Sequence, residues 1–123
     1  MRKEIAPSTR GFFVRGMEGH SAVMSITSLG RDVYLIERTK DRPDLKVLIT
    51  DIYIAGEGDI IEIMYEYSDI DCIVLVGYYN RYSGAAKDLA KDNNIALYDY
   101  REFLGAVHCT GSAFLNYKRK YKE

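Results

Sequence analysis

The stretch spanning residues 71–107 constrains the fold of this chain more than any other. It contains an apolar run at residues 72–76, a polar loop, a short helical pattern at 84–92 and a second apolar run at 95–98. This order predicts a β-α-β unit, and the parallel pairing in such a unit requires elements that cover both faces of the sheet. The remaining residues must therefore supply neighbouring strands and covering helices.

Three side chains stand where helix N-caps are expected: Ser83, Asp99 and Asp59. Asp99 and Asp59 each have a glutamate three residues later, which is the spacing of a capping box. The helix after Asp59 is predicted to span residues 60–67. These signals place helices between and beyond the apolar runs.

A predicted β-hairpin precedes this unit. Residues 32–38 and 45–54 are rich in β-branched and aromatic side chains, and they flank a turn-forming cluster that contains Pro43. Both faces of the second strand are mostly apolar, which is typical of a central strand covered on both sides. Asp51 falls within this strand.

The first thirty residues carry weaker signals. Residues 21–29 are weakly periodic and are predicted to form a helix that ends at Gly30, with a strand as the alternative because β-branched side chains are common there. Upstream, Gly11, Gly16 and Gly19 argue against a long helix.

Composition and charge limit the class of protein. The 123 residues carry a net charge of −1, and no run approaches the roughly 18 uncharged apolar residues of a membrane span. Cys72 and Cys109 have neither CxxC nor metal-type spacing, which indicates a reducing compartment, by default the cytoplasm. We expect one α/β domain over residues 1–123, with a flexible N-terminal segment at 1–10 and a basic C-terminal tail at 112–123.

The second half of the chain resembles a known family. Its helix, asparagine pair, short strand and following turn are similar to the closing segment of Mrr-type proteins in the restriction-endonuclease-like superfamily, and the matching residues are Ala86, Lys87, Leu89, Ala90, Asn93, Asn94, Ile95, Leu97, Phe103 and Leu104. The hairpin region matches more loosely. The resemblance implies a restriction-endonuclease-like α/β fold, with a central mixed sheet of about four strands flanked by helices.

The same resemblance implies a metal-dependent phosphodiesterase. In that family an acid opens one hairpin strand, a (D/E/Q)-x-K motif lies in the next, and the carboxylates hold Mg²⁺. Carried over to this chain, Asp32 and Asp51 take the positions of the catalytic and metal-binding acids. Tyr53 stands where the family has its lysine, so the resemblance also admits a fold that persists without cleavage.

Two further groups of side chains are candidates for contacts with nucleic acid or with a partner protein. The polar loop after residue 76 combines aromatic residues with arginine, which suits base stacking as well as protein interfaces; its members are Tyr78, Tyr79, Arg81 and Tyr82. The C-terminal tail carries cations that suit a phosphate backbone: Lys118, Arg119 and Lys120. A packed loop and a solubilising tail are the alternatives.

The sequence therefore leads to two functional hypotheses. The first is a nuclease-like domain that associates with DNA, as either a weak Mg²⁺-dependent endonuclease or a degenerate one. The alternative is a non-catalytic protein-interaction or regulatory module on the same fold, acting as a homodimer or with a protein partner. Neither hypothesis involves a membrane.

Overall fold

The structure is a computed structural model and describes residues 2–119. Its helices are α1 (Pro7–Glu18), α2 (Glu57–Glu66), α3 (Gly84–Asp92), α4 (Tyr100–Ala106) and α5 (Gly111–Leu115). Its strands are β1 (Arg2–Lys3), β2 (Val23–Gly30), β3 (Val33–Arg38), β4 (Leu45–Ile52), β5 (Ile54–Ala55), β6 (Cys72–Leu75), β7 (Arg81–Tyr82) and β8 (Ala96–Asp99). No helix within this described part is long and apolar enough to cross a membrane.

One mixed sheet organises these elements. Its strands follow the order β2-β3-β4-β6-β8, and β1 joins the same six-stranded sheet by pairing with β4. Neighbours from β2 to β4 are antiparallel, whereas β4, β6 and β8 are parallel. The predicted hairpin and the predicted β-α-β unit are confirmed as β3–β4 and β6-α3-β8. The prediction of about four strands was too low.

The prediction of a helix at residues 21–29 is wrong, because these residues form β2. This strand pairs antiparallel with β3. Arg31 and Asp32 form the two-residue connection, and both have left-handed backbone angles, with φ of 55° and 63°. Such angles match the right-handed twist of a β-hairpin. Tertiary pairing and β-branched side chains therefore outweigh the weak helical periodicity.

The expectation that glycines prevent a long helix near the N-terminus is also wrong. Helix α1 continues through Gly11 and Gly16, with Pro7 in its first turn, where the missing N–H has no intrahelical partner to lose. A Cβ atom at Gly16 would collide with the Tyr100 hydroxyl. This glycine, which costs about 1 kcal/mol relative to alanine in a helix interior, therefore permits the close approach of α1 to α4.

The helix starts agree with the sequence in two of three cases. Ser83 Oγ accepts a hydrogen bond from the Ala86 amide at 3.0 Å, and Asp99 forms the predicted capping box with Glu102. Helix α2 instead begins at Glu57, and Asp59 lies inside its first turn, where it accepts from the Gly56 amide at 2.9 Å. The prediction that Asp59 is the N-cap residue of this helix is therefore wrong, because Gly56 occupies that position.

Two apolar layers enclose the sheet. On the first face, called the α1 face, α1, α4 and α5 cover the sheet, and Phe13 and Phe103 are fully buried there. On the opposite α2 face, α2 and α3 pack against Leu48 and Ile73. Each such side chain contributes about 1.5–3 kcal/mol on burial. The central strands therefore carry buried apolar side chains on both faces.

Candidate binding surface

Asp32 lies in the β2–β3 turn and contacts α1. Its Oδ1 accepts from Arg10 Nε at 2.6 Å, and its Oδ2 accepts from Arg10 Nη2 at 3.3 Å. The hydrogen bond to this carboxylate raises the pKa of Arg10 further above its ordinary value. The left-handed φ of Asp32 is one that aspartate tolerates better than most residues. Both carboxylate oxygens are therefore engaged by an arginine at a tight turn.

Asp51 lies near the end of β4 and contacts a different part of the chain. Side-chain alternation places it on the α1 face with Val47 and Ile49. Its Oδ1 accepts from Asn80 Nδ2 at 3.0 Å. Lys3 is its register partner on β1, so a cation stands across from this acid in the sheet. The sequence alone offered no lysine here, because Lys3 is distant along the chain.

The two acids share a face of the sheet but not a partner. An open cavity of about 560 Å³ lies where β4 is uncovered between β3 and β1, and its lining includes Asp32 and Thr50. Asp51 is absent from that lining. Among residues 2–119 no three His, Cys, Asp or Glu side chains are grouped to hold a metal ion. Arg10 is hydrogen-bonded to the carboxylate of Asp32 and Asn80 to that of Asp51, so the two acids contact different parts of the chain.

Asn80 fastens the loop after β6 to the end of β4. Its Oδ1 accepts from the Ile52 amide at 3.1 Å and from the Gly77 amide at 2.9 Å, while its Nδ2 donates to Asp51. A Cβ atom at Gly77 would collide with both Asn80 and Asp51. One asparagine side chain therefore makes three hydrogen bonds, and they hold residues 77–80 against the carboxyl end of the central strand.

The short strands β5 and β7 extend this attachment. The Arg81 amide donates to the Tyr53 carbonyl and the Ser83 amide donates to the Ala55 carbonyl, both at 2.9 Å. Ile54 is the register partner of Arg81, and Ala55 is the partner of Tyr82. Partners in a parallel pair face the same side, so Ile54 and Arg81 lie together on the exposed side. Ala55 and Tyr82 face inward.

These attachments expose a group of large side chains that we call the aromatic end surface; its members are Tyr53, Ile54, Tyr78, Tyr79 and Arg81. Tyr78 and Tyr79 are 89% and 69% exposed, and their rings meet edge-to-face with centroids 4.7 Å apart. Tyr53 and Ile54 are 59% and 56% exposed. The surface lies beyond the carboxyl ends of parallel strands, where α/β folds commonly bind ligands.

Sequence reasoning placed part of this surface and missed part. Tyr78, Tyr79 and Arg81 were singled out, but Tyr53 and Ile54 were assigned to the last two positions of the second hairpin strand. In the structure β4 ends at Ile52, and both residues turn outward. A helix starting soon after Gly56 was the available signal, since it leaves the preceding apolar residues at the rim of the sheet.

The remaining predicted contact residues lie elsewhere. Tyr82 is half-buried, and its hydroxyl donates to Glu102 at 2.7 Å. Burial and this hydrogen bond raise the pKa of Tyr82. Lys118 is exposed and Arg119 is half-buried. Both come directly after Tyr117 in the chain, and the Tyr117 amide donates a hydrogen bond to the Tyr98 hydroxyl. Lys120 lies outside the described residues.

The chain segment that carries most of the aromatic end surface is acidic. No lysine or arginine occurs from Val47 through Asn80, and Asp51 and Glu57 belong to this stretch. Arg81 contributes a cation at the margin.

Comparison of the chain with protein-family models, curated proteins and solved structures found no match.

Proposed function

We propose that this chain is a non-catalytic binding module that recognises a protein segment through the aromatic end surface. The observation that carries the proposal is the Asn80 attachment, which fixes a loop whose two tyrosines are 89% and 69% exposed. Large apolar side chains grouped at one end of a domain are typical of interaction sites.

The chemistry of the surface favours a protein segment as its ligand. Tyrosine and arginine are enriched among the residues that dominate protein–protein binding energy, and tyrosine loses little conformational entropy on binding. Ile54 beside Arg81 supplies an apolar neighbour to the cation. Single-stranded nucleic acid binding also uses stacked aromatic rings, but it needs a positively charged groove. The acidic stretch around Asp51 and Glu57 is unfavourable for that.

The fixed loop has an energetic consequence for binding. Ordering a mobile interface side chain costs about 0.5–1.5 kcal/mol. Because the backbone at residues 77–80 is held by Asn80 and the two tyrosine rings contact each other, part of that cost is met during folding. A partner that covers both rings therefore gains apolar burial with less ordering.

A peptide-display selection tests the proposal. The wild-type chain is used as bait, and the double variant Tyr78→Ser with Tyr79→Ser is the comparison. Tyr65→Ser is the matched control, since Tyr65 on α2 is 95% exposed. We expect peptides that bind wild type and the Tyr65→Ser variant but not the double variant. Failure to enrich such peptides, or equal loss with Tyr65→Ser, contradicts the proposal.

Nucleic-acid association is the second candidate, and one observation favours it. Asp32 in the β2–β3 turn and Asp51 on β4 both lie on the α1 face, and Lys3 is the register partner of Asp51. The resemblance to Mrr-type proteins implies a β-hairpin followed by a β-α-β unit, and this chain has both. In this reading the domain descends from a nuclease and contacts DNA.

Anisotropy of a labelled single-stranded oligonucleotide and nicking of supercoiled plasmid separate the two candidates. Binding that falls steeply with salt and is lost when the two loop tyrosines are replaced would favour nucleic acid. Nicking that requires added Mg²⁺ and disappears in Asp51→Ala would support the nuclease hypothesis. The leading proposal expects neither result.

A further inference from the structure

The two edges of the main sheet differ in how their backbone groups are satisfied. On the β8 edge, Lys87 Nζ donates to the Leu97 carbonyl at 2.6 Å, and the Asp99 amide donates to Glu102 Oε1 at 3.0 Å. The Ile95 amide donates to the Ala90 carbonyl at 2.9 Å. Side chains and α3 thus occupy this edge, and lysine is a common device against edge-to-edge pairing.

The β2 edge is less protected: the Gly30 amide donates to Ser28 Oγ at 3.3 Å, and two register irregularities interrupt the strand. Within residues 2–119 no element pairs with the outer side of β2, so alternate residues direct their amide and carbonyl groups away from β3. The strand contains no charged residue, and it exposes Met24 by 66% and Leu29 by 49%. An eight-residue edge with apolar side chains and without charge is one that natural proteins usually cover.

We propose that this edge pairs with the β2 edge of a second copy of the chain, antiparallel and across a two-fold axis near Thr27. The pairing joins two sheets into one continuous sheet. It is independent of the aromatic end surface, because β2 lies at the opposite side of the sheet order from β6.

A second copy suits this edge better than an unrelated strand because β2 complements itself. Antiparallel pairing brings Met24 of one copy to the same end of the interface as Leu29 of the other, and does so at both ends. Near the centre, Thr27 meets its own symmetry mate or a neighbouring serine. Because the strand is uncharged, no like charges are placed opposite each other.

The length of the regularly paired part of β2 limits how strongly two copies can associate. Irregular register between Val23 and Ser25 and between Ser28 and Gly30 confines straight pairing to the middle of β2. Such a contact buries less than the roughly 1,200 Å² of a standard interface, so a reversible dimer is expected.

Sedimentation equilibrium over a concentration series from about 5 to about 500 µM tests the proposal. Wild type should shift from monomer to dimer across that range. Thr27→Lys places two like charges at the axis and should raise the dissociation constant by about tenfold or more. Ala85→Lys, which makes the same charge change at an exposed site on α3, on the side of the sheet order away from β2, should leave the constant unchanged.

Two further measurements test whether the variant is folded and whether position 27 lies at the interface. Thermal unfolding of Thr27→Lys establishes that the variant is folded. In a Cys109→Ser background, Thr27→Cys should form an intermolecular disulfide on mild oxidation. A wild type that stays monomeric at the highest concentration overturns the proposal. Equal weakening by Thr27→Lys and Ala85→Lys, or a dimer lost when Tyr78 and Tyr79 are replaced, overturns it as well.

Discussion

Replacing Asn80 with alanine should weaken the junction between β4 and the loop after β6. The change leaves the amides of Ile52 and Gly77 without their acceptor and removes the donor to Asp51. A typical hydrogen bond contributes about 1 kcal/mol net. The site is only partly buried and water can replace some partners, so we expect a loss of about 2 kcal/mol in the free energy of unfolding. For a domain of this size that corresponds to a decrease in Tm of roughly 6–10 °C.

Asn80→Asp separates the acceptor role of this side chain from its donor role. The variant keeps an oxygen for both amides but places a second carboxylate beside Asp51. Two neighbouring carboxylates raise the pKa of the pair, because each disfavours the ionised form of the other. The folded state then binds a proton more readily than the unfolded chain. The variant should be destabilised at pH 7 and recover relative to wild type as the pH falls toward about 4–5.

Denaturant unfolding of wild type, Asn80→Ala and Asn80→Asp at pH 7 and at pH 4.5 provides the comparison. Asn116→Ala is the control, because its amide makes one exposed hydrogen bond and should cost little. If Asn80→Ala unfolds at the same denaturant concentration as the control, the asparagine does not hold the loop. If the deficit of Asn80→Asp does not shrink at low pH, the proximity of its carboxylate to Asp51 is refuted.

Three further outcomes follow from burial. Burial, with neighbouring positive charge, lowers the pKa of His108, so protonation of this side chain opposes folding. The Tm of wild type should therefore fall as the pH drops below about 6.5. The Tm of His108→Asn, measured over the same pH range, should fall less. Burial raises the pKa of the Cys72 thiol, so at pH 8 a thiol reagent should modify half-buried Cys109 in the native protein and Cys72 only after denaturation. Phe13→Ala should cost about 3–5 kcal/mol in denaturant unfolding, whereas Phe12→Ala, at a side chain 59% exposed, should cost under about 1 kcal/mol.

The sequence predicted the elements that have a strong local signal. The β3–β4 hairpin and the strands β6 and β8 are dense in β-branched and aromatic residues, and the caps at Ser83 and Asp99 follow from a side chain and its local partner. The class of fold, an α/β domain with a mixed sheet and flanking helices, therefore could be derived without a structure.

The errors arose where tertiary contact decides the outcome. The segment that forms β2 has a weak period, and its pairing with β3 settles its state. The Gly30-Arg31-Asp32 turn was the overlooked signal, because a glycine and an aspartate between apolar runs indicate a hairpin. Gly16 lies inside a helix, where it leaves space for the Tyr100 hydroxyl on α4. Tyr100 is distant along the chain, so no local rule predicts a helical glycine here.

The candidate site divides in the same way. Tyr78, Tyr79 and Arg81 were recognisable by composition and by their position after an apolar strand. The role of Asn80 was not, because all three of its hydrogen bonds depend on how the loop meets β4. Whether Asp51 faces a metal, a cation or an amide is likewise a property of the assembled chain.

The contact between Gly16 and Tyr100 also bears on how this chain can change over time. A methyl group at position 16 is excluded while the phenol oxygen occupies that space, but it becomes tolerable if position 100 carries phenylalanine. The two sites should therefore vary together among relatives, with alanine at one accompanying the loss of the hydroxyl at the other. Such a paired exchange would link the first helix to the fourth through a coupling that neither position reveals by itself.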